Sequence, residues 1–281
     1  SGPPTDLAVQ DISVPAAADA AGKVTVTYTV KNVDDSERAR GYWADALYLS
    51  DDAVWDLGDR LIGRVELEPD PQRPGRMRPI YRDLAPGETY TGTLTALLPT
   101  ALPGGYRVIV RTDIYDDINE GSGNLNNRLA SADTLQVTVP ALQLGVVRTD
   151  ELPMGGERLF SVTVPHGETL EVTLTAADKT IANELYIRHE GLPDSISHDG
   201  AFQGHLWSDQ SAAVPLTEAG TYYILVRSAG WQDASRELDA AADSTASPIT
   251  VTAQLLPFCV RDVSPDTGGA ARYVTLEVRG A

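Results

Sequence analysis

Alternating apolar and polar residues dominate this chain, whereas long helical periodicity is scarce. In residues 23–30, KVTVTYTV, valine and tyrosine alternate with polar residues, a pattern typical of a strand with one buried face. Turns are marked by Pro86-Gly87 and Pro103-Gly104-Gly105. This spacing predicts an antiparallel sandwich of about seven strands. Its other predicted strands are residues 6–14, 43–50, 90–98, 106–111 and 134–139.

A second series of strands follows Pro140 and predicts another antiparallel sandwich. Residues 230–247 are rich in Ala, Asp and Ser, which favours an irregular excursion with one helical turn. After Pro257 the strand pattern restarts and predicts an incomplete third β domain. The predicted domains are thus 1–140, 141–256 and 257–281. The predicted strands of the second domain are 142–147, 158–164, 169–175, 184–189, 212–216, 221–227 and 249–255.

Residues 69–83 combine prolines with arginines and predict a surface excursion instead of a strand, because proline removes a ladder donor. The arginines could grip a carboxylate-rich partner or pair with acidic loops of the same chain. The second interpretation is favoured, since Arg forms bidentate pairs with carboxylates readily. The candidate ligand contacts of this segment are Arg73, Arg76 and Arg78.

The net charge limits the classes of partner that the chain is expected to bind. The 281 residues carry a formal charge of -18, which argues against binding to nucleic acid or to anionic membrane surfaces. No apolar run approaches the ~20 residues of a membrane-spanning helix, so no membrane insertion is expected. A single cysteine, Cys259, excludes an intrachain disulfide and is read as a small buried hydrophobe. We expect the chain to be a piece of a longer exported protein.

The segment 112–128, TDIYDDINEGSGNLNNR, is the most specific signature, with carboxylates and amides between two predicted strands. Hard oxygen donors in a turn-rich loop suit Ca²⁺, and the chosen ligands are Asp113, Asp116 and Glu120. The favoured alternative is turn chemistry, in which Asp and Asn fix the loop backbone and Asn126-Asn127 tie it to a neighbouring strand. The same two interpretations apply to a second acidic loop. Its acidic residues are Asp51, Asp52, Asp56 and Asp59.

Catalytic and zinc-binding patterns are lacking in the sequence. The segment DSISHDG places Ser195, His198 and Asp199 in one loop, but a triad requires geometry from separate elements. The scattered histidines do not have zinc-site spacing. No enzymatic activity is therefore predicted. Trp55 and Trp231 could stack on a carbohydrate or peptide, although burial against the domain is favoured.

Several motifs in the first predicted domain resemble those of the CARDB family, the cell-adhesion-related domain found in bacteria. The resemblance covers nearly all of residues 6–139 and implies an immunoglobulin-like sandwich used as a repeat in large surface or secreted proteins. The proline- and arginine-containing segment is longer than this family implies. The motifs are Asp6-Leu7, 24–32 ending in VKN, 43–52 (WADALYLSDD), 56–59 (DLGD), 84–90 (LAPGETY), 103–106 (PGGY), and Thr112, Asp113, Glu120, Asn126 and Asn127.

The second predicted domain is similar to the bacterial pre-peptidase C-terminal (PPC) domain, which implies a non-catalytic jelly-roll sandwich. The motifs are GERLFSVTV at 156–164, GETLEVTL at 167–174 and GTYYILV at 220–226. VSPDTGG followed by VTLEV, within 257–281, resembles the opening of an IPT/TIG immunoglobulin-like domain.

These observations predict a non-catalytic adhesion module at the bacterial cell surface or outside the cell. It would act as a spacer or ligand-binding stalk, stiffened by Ca²⁺ if calcium binds. Its partners would be neighbouring domains and a protein or polysaccharide ligand. The alternative is an accessory substrate-binding module of a secreted peptidase or other hydrolase, binding through Trp231 or the arginines. An enzyme with an unrecognised site is the least favoured hypothesis.

Overall fold

A computed structural model describes residues 4–121, 123, 125–231, 246–256, 260–264 and 277–280. Within these ranges every regular element is a β-strand, which confirms the all-β prediction. No helix in the described ranges is long and apolar enough to cross a membrane. The chain divides into two compact units, 1–138 and 139–281.

Strands of the first unit follow the predicted alternation closely. Along β3 the inward side chains, including Val24, Val26 and Val30, are buried and alternate with more exposed residues. The strands are β1 (Leu7–Ser13), β2 (Ala17–Asp19), β3 (Lys23–Asn32), β4 (Ala39–Tyr42), β5 (Asp45–Ser50), β6 (Arg60–Val65), β7 (Leu67–Pro69), β8 (Met77–Pro79), β9 (Tyr81–Leu84), β10 (Thr89–Leu97), β11 (Gly104–Arg111), β12 (Arg128–Ala130) and β13 (Leu135–Thr138).

Two main sheets and two two-stranded pairs, β4 with β9 and β7 with β8, build the described part of the first unit. One main sheet is three-stranded with the order β1-β3-β10, and the other has the order β2-β13-β11-β5-β6 with β12 paired to β11. Their buried apolar residues form the core, among them Tyr28 on one sheet and Leu47 and Val110 on the other. All pairs in these two sheets are antiparallel except β2 with β13, which is parallel.

The proline- and arginine-containing segment corrects one prediction. Residues 69–83 lie at the surface, as expected, except for the buried Arg82, yet they contribute strands: β7 pairs with β8, and β9 pairs with β4. The β7–β8 ribbon is two-stranded, and its prolines take the end positions, Leu67 opposite Pro79 and Pro69 opposite Met77. Proline is tolerated there because a residue at the end of a short two-stranded ribbon does not need to donate its N–H to a ladder hydrogen bond.

The second unit is also built from two antiparallel sheets, with the orders β14-β21-β16-β19 and β15-β20-β17-β18. Phe160, Leu170, Leu185 and Tyr222 belong to its core. A separate pair joins β22 to β23. The strands are β14 (Arg148–Leu152), β15 (Glu157–Val164), β16 (Thr169–Ala176), β17 (Ile181–His189), β18 (Gly200–Ala201), β19 (Gln210–Val214), β20 (Gly220–Trp231), β21 (Ser247–Leu256), β22 (Val260–Ser264) and β23 (Glu277–Gly280).

Two predictions for the second unit were wrong in detail. Residues 142–147 are not a strand, because Gly145 at φ 74° turns the chain before β14 begins at Arg148. In addition, β20 continues to Trp231, where Ile181 pairs with it, so the strand enters the predicted excursion. The rest of that excursion and its helical turn, residues 232–245, lie outside the described residues, as does Cys259.

Candidate functional site

The segment 112–128 opens with a capped turn at Asp113. Its carboxylate accepts hydrogen bonds from the backbone N–H of Asp117 at 2.9 Å and of Ile118 at 3.1 Å. Asp113 itself takes the left-handed conformation, with φ 48°. Burial raises the pKa of its carboxyl to about 6, against the lowering effect of these two N–H donors. The first predicted calcium ligand therefore fixes the local backbone.

Glu120, another carboxylate of this segment, is buried. One of its oxygens accepts a hydrogen bond from the backbone N–H of Leu7 at 2.6 Å, and the other accepts from the side-chain amide of Asn127. Burial raises the pKa of Glu120 to about 7, although both donors lower it. The side chain thus links the loop to the first strand, β1.

Asn126 strengthens the same link. Its side-chain amide donates to the carboxylate of Asp6 at 2.8 Å, and its backbone carbonyl accepts from the N–H of Val9 at 3.3 Å. For Asn126 the expected tie to a neighbouring strand is confirmed by these contacts, whereas the side chain of Asn127 bonds to Glu120 within the loop. We call this set of residues the loop latch. It consists of Asp6, Leu7, Glu120, Asn126 and Asn127.

The three predicted calcium ligands do not converge. Asp113 and Glu120 direct their carboxylates to different backbone and amide donors, and Asp116 is exposed with φ 56°. Over the described part of the chain, no group of three or more His, Cys, Asp or Glu side chains is placed to hold a metal ion. Binding of calcium here stays a prediction, and turn chemistry accounts for the contacts of Asp113 and Glu120.

The second acidic loop borders an open pocket of about 240 Å³, lined by Asp51, Arg60 and Tyr106 among others. Its carboxylates also fix turns. Asp52 accepts from the N–H of Val54 at 2.7 Å, and Asp56 accepts from the N–H of Gly58 at 2.6 Å. The hydrogen bonds again match the turn interpretation of Asp and Asn.

A buried carboxylate that the sequence analysis missed lies between the two sheets of the first unit. Asp45 is fully buried, and its oxygens accept hydrogen bonds at 2.7 Å from the hydroxyls of Tyr28, Tyr90 and Thr112. Burial raises the pKa of Asp45, opposed by the guanidinium of Arg82 at 3.4 Å. Burial likewise raises the pKa of Tyr90.

Arg82 completes this cluster from the proline- and arginine-containing segment. It donates to the carbonyl of Trp43 at 2.7 Å and lies over the rings of Trp43 and Tyr90, at 5.1 and 4.5 Å from their centroids. One signal could have revealed the cluster: two tyrosines at apolar positions of β3 and β10 need an acceptor when buried. The cluster has a structural role in the core, because its buried polar groups form hydrogen bonds or an ion pair with one another.

The arginines chosen as ligand contacts behave differently from one another. Arg78 pairs with Glu68 across the β7–β8 ribbon at 2.6 Å, as the favoured interpretation expected. Arg73 and Arg76 are exposed in the turn between these strands.

Trp55, one of the two predicted aromatic contacts, is half-buried beneath the guanidinium of Arg111, which lies 4.0 Å from the centroid of the Trp55 ring. The side chain of Trp231, the other predicted aromatic contact, lies outside the described residues.

The DSISHDG loop does not assemble a triad. Asp194 accepts from the N–H groups of Ile196 and Ser197, and the ring of His198 contacts the carbonyl of Asp194 at 3.1 Å. Asp199 accepts from the N–H of His189 at 2.7 Å instead of orienting a histidine ring. These groups shape a loop.

The family model named CARDB matches residues 4–132. Residues 4–132 are therefore similar to a CARDB domain. The match lies within the first compact unit and includes the loop latch and the Asp45 cluster. It agrees with the resemblance seen in the sequence. Among curated proteins, none matches the chain significantly.

Solved structures similar to the chain include the CARDB domain of the PF1109 protein from Pyrococcus furiosus, in complex with di-metal ions. It is 18% identical, with a TM-score of 0.32, covering 49% of this chain and 95% of that one. The secreted serine protease VesC from Vibrio cholerae is 9% identical, with a TM-score of 0.30, covering 88% of this chain and 51% of that one. PliG of Aeromonas hydrophila, a periplasmic lysozyme inhibitor, is 13% identical, with a TM-score of 0.32, covering 42% of this chain and 96% of that one.

Proposed function

We propose that this chain is a non-catalytic, force-resisting spacer within a larger exported bacterial protein, joined to neighbouring domains at the cell surface or outside the cell. The CARDB domain, a cell-adhesion-related bacterial module, supports this role. The observation that carries the proposal is the parallel pairing of β2 with β13.

Parallel pairing gives the two strands a shear geometry. A spacer is pulled at its two ends. The force on β2 therefore acts toward the N-terminal end of that strand, and the force on β13 acts toward the C-terminal end of that strand. Since the strands are parallel, these pulls act in opposite directions along a common axis. All hydrogen bonds of the pair are then loaded together instead of one at a time. The bonds include Gln136 N–H to Ala16 at 3.0 Å and Ala20 N–H to Thr138 at 2.8 Å.

The loop latch lies where force would first enter the domain. Leu7 is the first residue of β1, and its N–H is held by Glu120, 113 positions further along the chain. Asp6, one residue earlier, is held by Asn126. Pulling on the N-terminal side therefore acts on side-chain bonds to a distant loop, and on the β1–β3 ladder, before it reaches the parallel pair.

Single-molecule pulling of the whole chain between reference domains tests the proposal. We expect the first unit to unfold at a force well above that of helical reference modules. Gln136→Pro removes the N–H that Ala16 accepts and should lower this force. Ile62→Val is the matched control, because it trims the core by about 0.5–1.5 kcal/mol without touching the clamp.

The unfolding forces of the two variants are compared after correction for the unfolding free energy that each variant loses. A lower force for Gln136→Pro than for Ile62→Val supports a mechanical clamp. Equal forces, or a first unit that yields as easily as the helical modules, would overturn the spacer function.

A further inference from the structure

Two exposed tyrosines face one another across the β4–β9 ladder. Tyr42 and Tyr81 are register partners, with 58% and 54% of their surfaces exposed. Their rings meet edge to face, with centroids 5.2 Å apart at 70°. The rings thus form a fixed aromatic platform open to solvent. Tyrosine suits such a place because it offers an apolar face and a polar tip.

Two hollows flank this platform, and both share Tyr42 and Pro79. The larger, about 380 Å³, is completed by Glu68, Arg78 and Tyr81. The smaller hollow, about 170 Å³, has a more apolar lining, which includes Leu67, Ile80 and Tyr115. Leu67, in the lining of the smaller hollow, is 48% exposed. We call this surface the tyrosine groove, defined by Tyr42, Leu67, Glu68, Arg78, Pro79 and Tyr81.

Charge in the groove decides the class of ligand. The Glu68 carboxylate is neutralised by the Arg78 guanidinium at 2.6 Å, and both side chains stay partly exposed, 38% and 49%. The pair therefore presents hydrogen-bond donors and acceptors side by side without net charge. Glu66 and Asp117 line the smaller hollow and disfavour an anionic ligand.

We propose that the tyrosine groove binds a neutral carbohydrate. The apolar faces of a sugar ring pack on aromatic rings, while its hydroxyls each need a donor or an acceptor. The platform supplies the first and the Glu68–Arg78 pair supplies the second. In the lining of the larger hollow the charged groups are those of the Glu68–Arg78 ion pair, so neither a cationic peptide nor an anionic glycan would find an uncompensated charge beside the tyrosines. The site is independent of the spacer function proposed above.

Calorimetric titration of the whole chain tests the site, with cellohexaose, maltohexaose, mannohexaose and xylohexaose as neutral probes and oligogalacturonate as the acidic probe. We expect saturable binding of at least one neutral probe and none of the acidic one. Tyr42→Ala combined with Tyr81→Ala should weaken binding about tenfold or more, the effect of about 1.4 kcal/mol. Arg78→Met with Glu68→Gln keeps the groove neutral but removes the charged donors and acceptors, and should weaken binding as well.

Trp207→Ala, which removes a 64% exposed aromatic in the second unit, is the matched control and should leave binding unchanged. Heat unfolding of each variant shows that weaker binding does not reflect loss of fold. Binding of no neutral probe, or binding that survives loss of both tyrosines, overturns the proposal. Preferential binding of a basic proline-rich peptide, weakened by Glu68→Gln alone, would also overturn it, in favour of peptide recognition.

Discussion

The carboxylate of Glu120 accepts a hydrogen bond from the backbone N–H of Leu7 at 2.6 Å, although 113 positions separate the two residues. Leu7 is fully buried, so its N–H has little access to water as a substitute acceptor. This single contact joins the start of the first sheet to the loop that closes the second. It makes the loop a structural component of the sandwich.

Removal of this acceptor should destabilise the first unit. We expect Glu120→Ala to lower the free energy of unfolding by about 1–3 kcal/mol, because it leaves a buried donor without a partner. Asp117→Ala is the control, since that side chain is exposed in the same loop and should change stability by less than about 0.5 kcal/mol. Chemical denaturation followed by circular dichroism measures both. Equal stability of the two variants would contradict the latch.

The raised pKa of Glu120 predicts how stability depends on pH. Its pKa is about 7 when folded and 4.5 when unfolded, so the folded state holds the proton more tightly. This contribution is fully present below pH 4.5 and is lost as pH rises through 7. Across that window the unfolding free energy should fall by up to ~1.4 kcal/mol per pH unit.

Glu120→Gln should abolish this part of the pH dependence. Denaturation of both proteins between pH 4 and 8 gives the difference curve. A difference that stays flat through this range would show that the carboxyl titrates normally. Asp113, whose pKa rises to about 6, contributes in the same direction and stays present in both proteins.

Sequence patterns predicted the strands because alternation records which residues face inward. The boundaries of β3 and β10 were predicted within two residues, since valines or threonines alternate along each strand. The Asn126 tie was predicted because Asn often bonds to nearby backbone. The partner strand itself could not be read from the sequence, because Asp6 and Val9 lie more than 100 positions away.

The Asp45 cluster shows what local patterns cannot supply. Asp45 sits in the apolar run WADALYLS, where the sequence shows an acidic residue and no partner. Its partners arrive from β3, from β9 and β10, and from the end of β11, and only the packing of two sheets brings them together. The same packing buries Arg82, although the sequence pattern predicts that the whole 69–83 segment lies at the surface.

Loss of Arg82 should be costly. We expect Arg82→Met to lower the unfolding free energy by about 3–5 kcal/mol, because it leaves the buried Asp45 carboxylate without a cation. Arg82→Met combined with Asp45→Asn should cost less than the sum of the two single changes. Arg38→Met is the matched control: its ion pair with Asp83 is exposed and contributes at most about 1 kcal/mol. Additive effects of Arg82→Met and Asp45→Asn would show that the two groups do not interact.

Gly92 lies opposite Tyr28 in the β3–β10 pair and against its ring. A Cβ atom at residue 92 would lie 2.2 Å from the Tyr28 ring, and that ring is held by its bond to Asp45. We therefore expect Gly92→Ala to destabilise the first unit by about 1–3 kcal/mol. Gly104→Ala, whose Cβ would find its nearest atom at 3.5 Å, should have a much smaller effect. Thermal unfolding of both variants checks this, and similar melting temperatures would mean that Tyr28 moves freely.

Calcium decides between the two interpretations of the acidic loops. The oxygens of Asp113 and Glu120 already accept hydrogen bonds from N–H groups, and they point to different donors. A calcium ion needs about six to eight oxygens around one point, so binding would require these bonds to break. We expect the same melting temperature in calcium and in excess chelator, because only a ligand of the native state raises it. A rise in calcium that Asp116→Ala removes would contradict this expectation. It would mean that the 112–128 loop rearranges around the ion and that the spacer is stiffened by calcium.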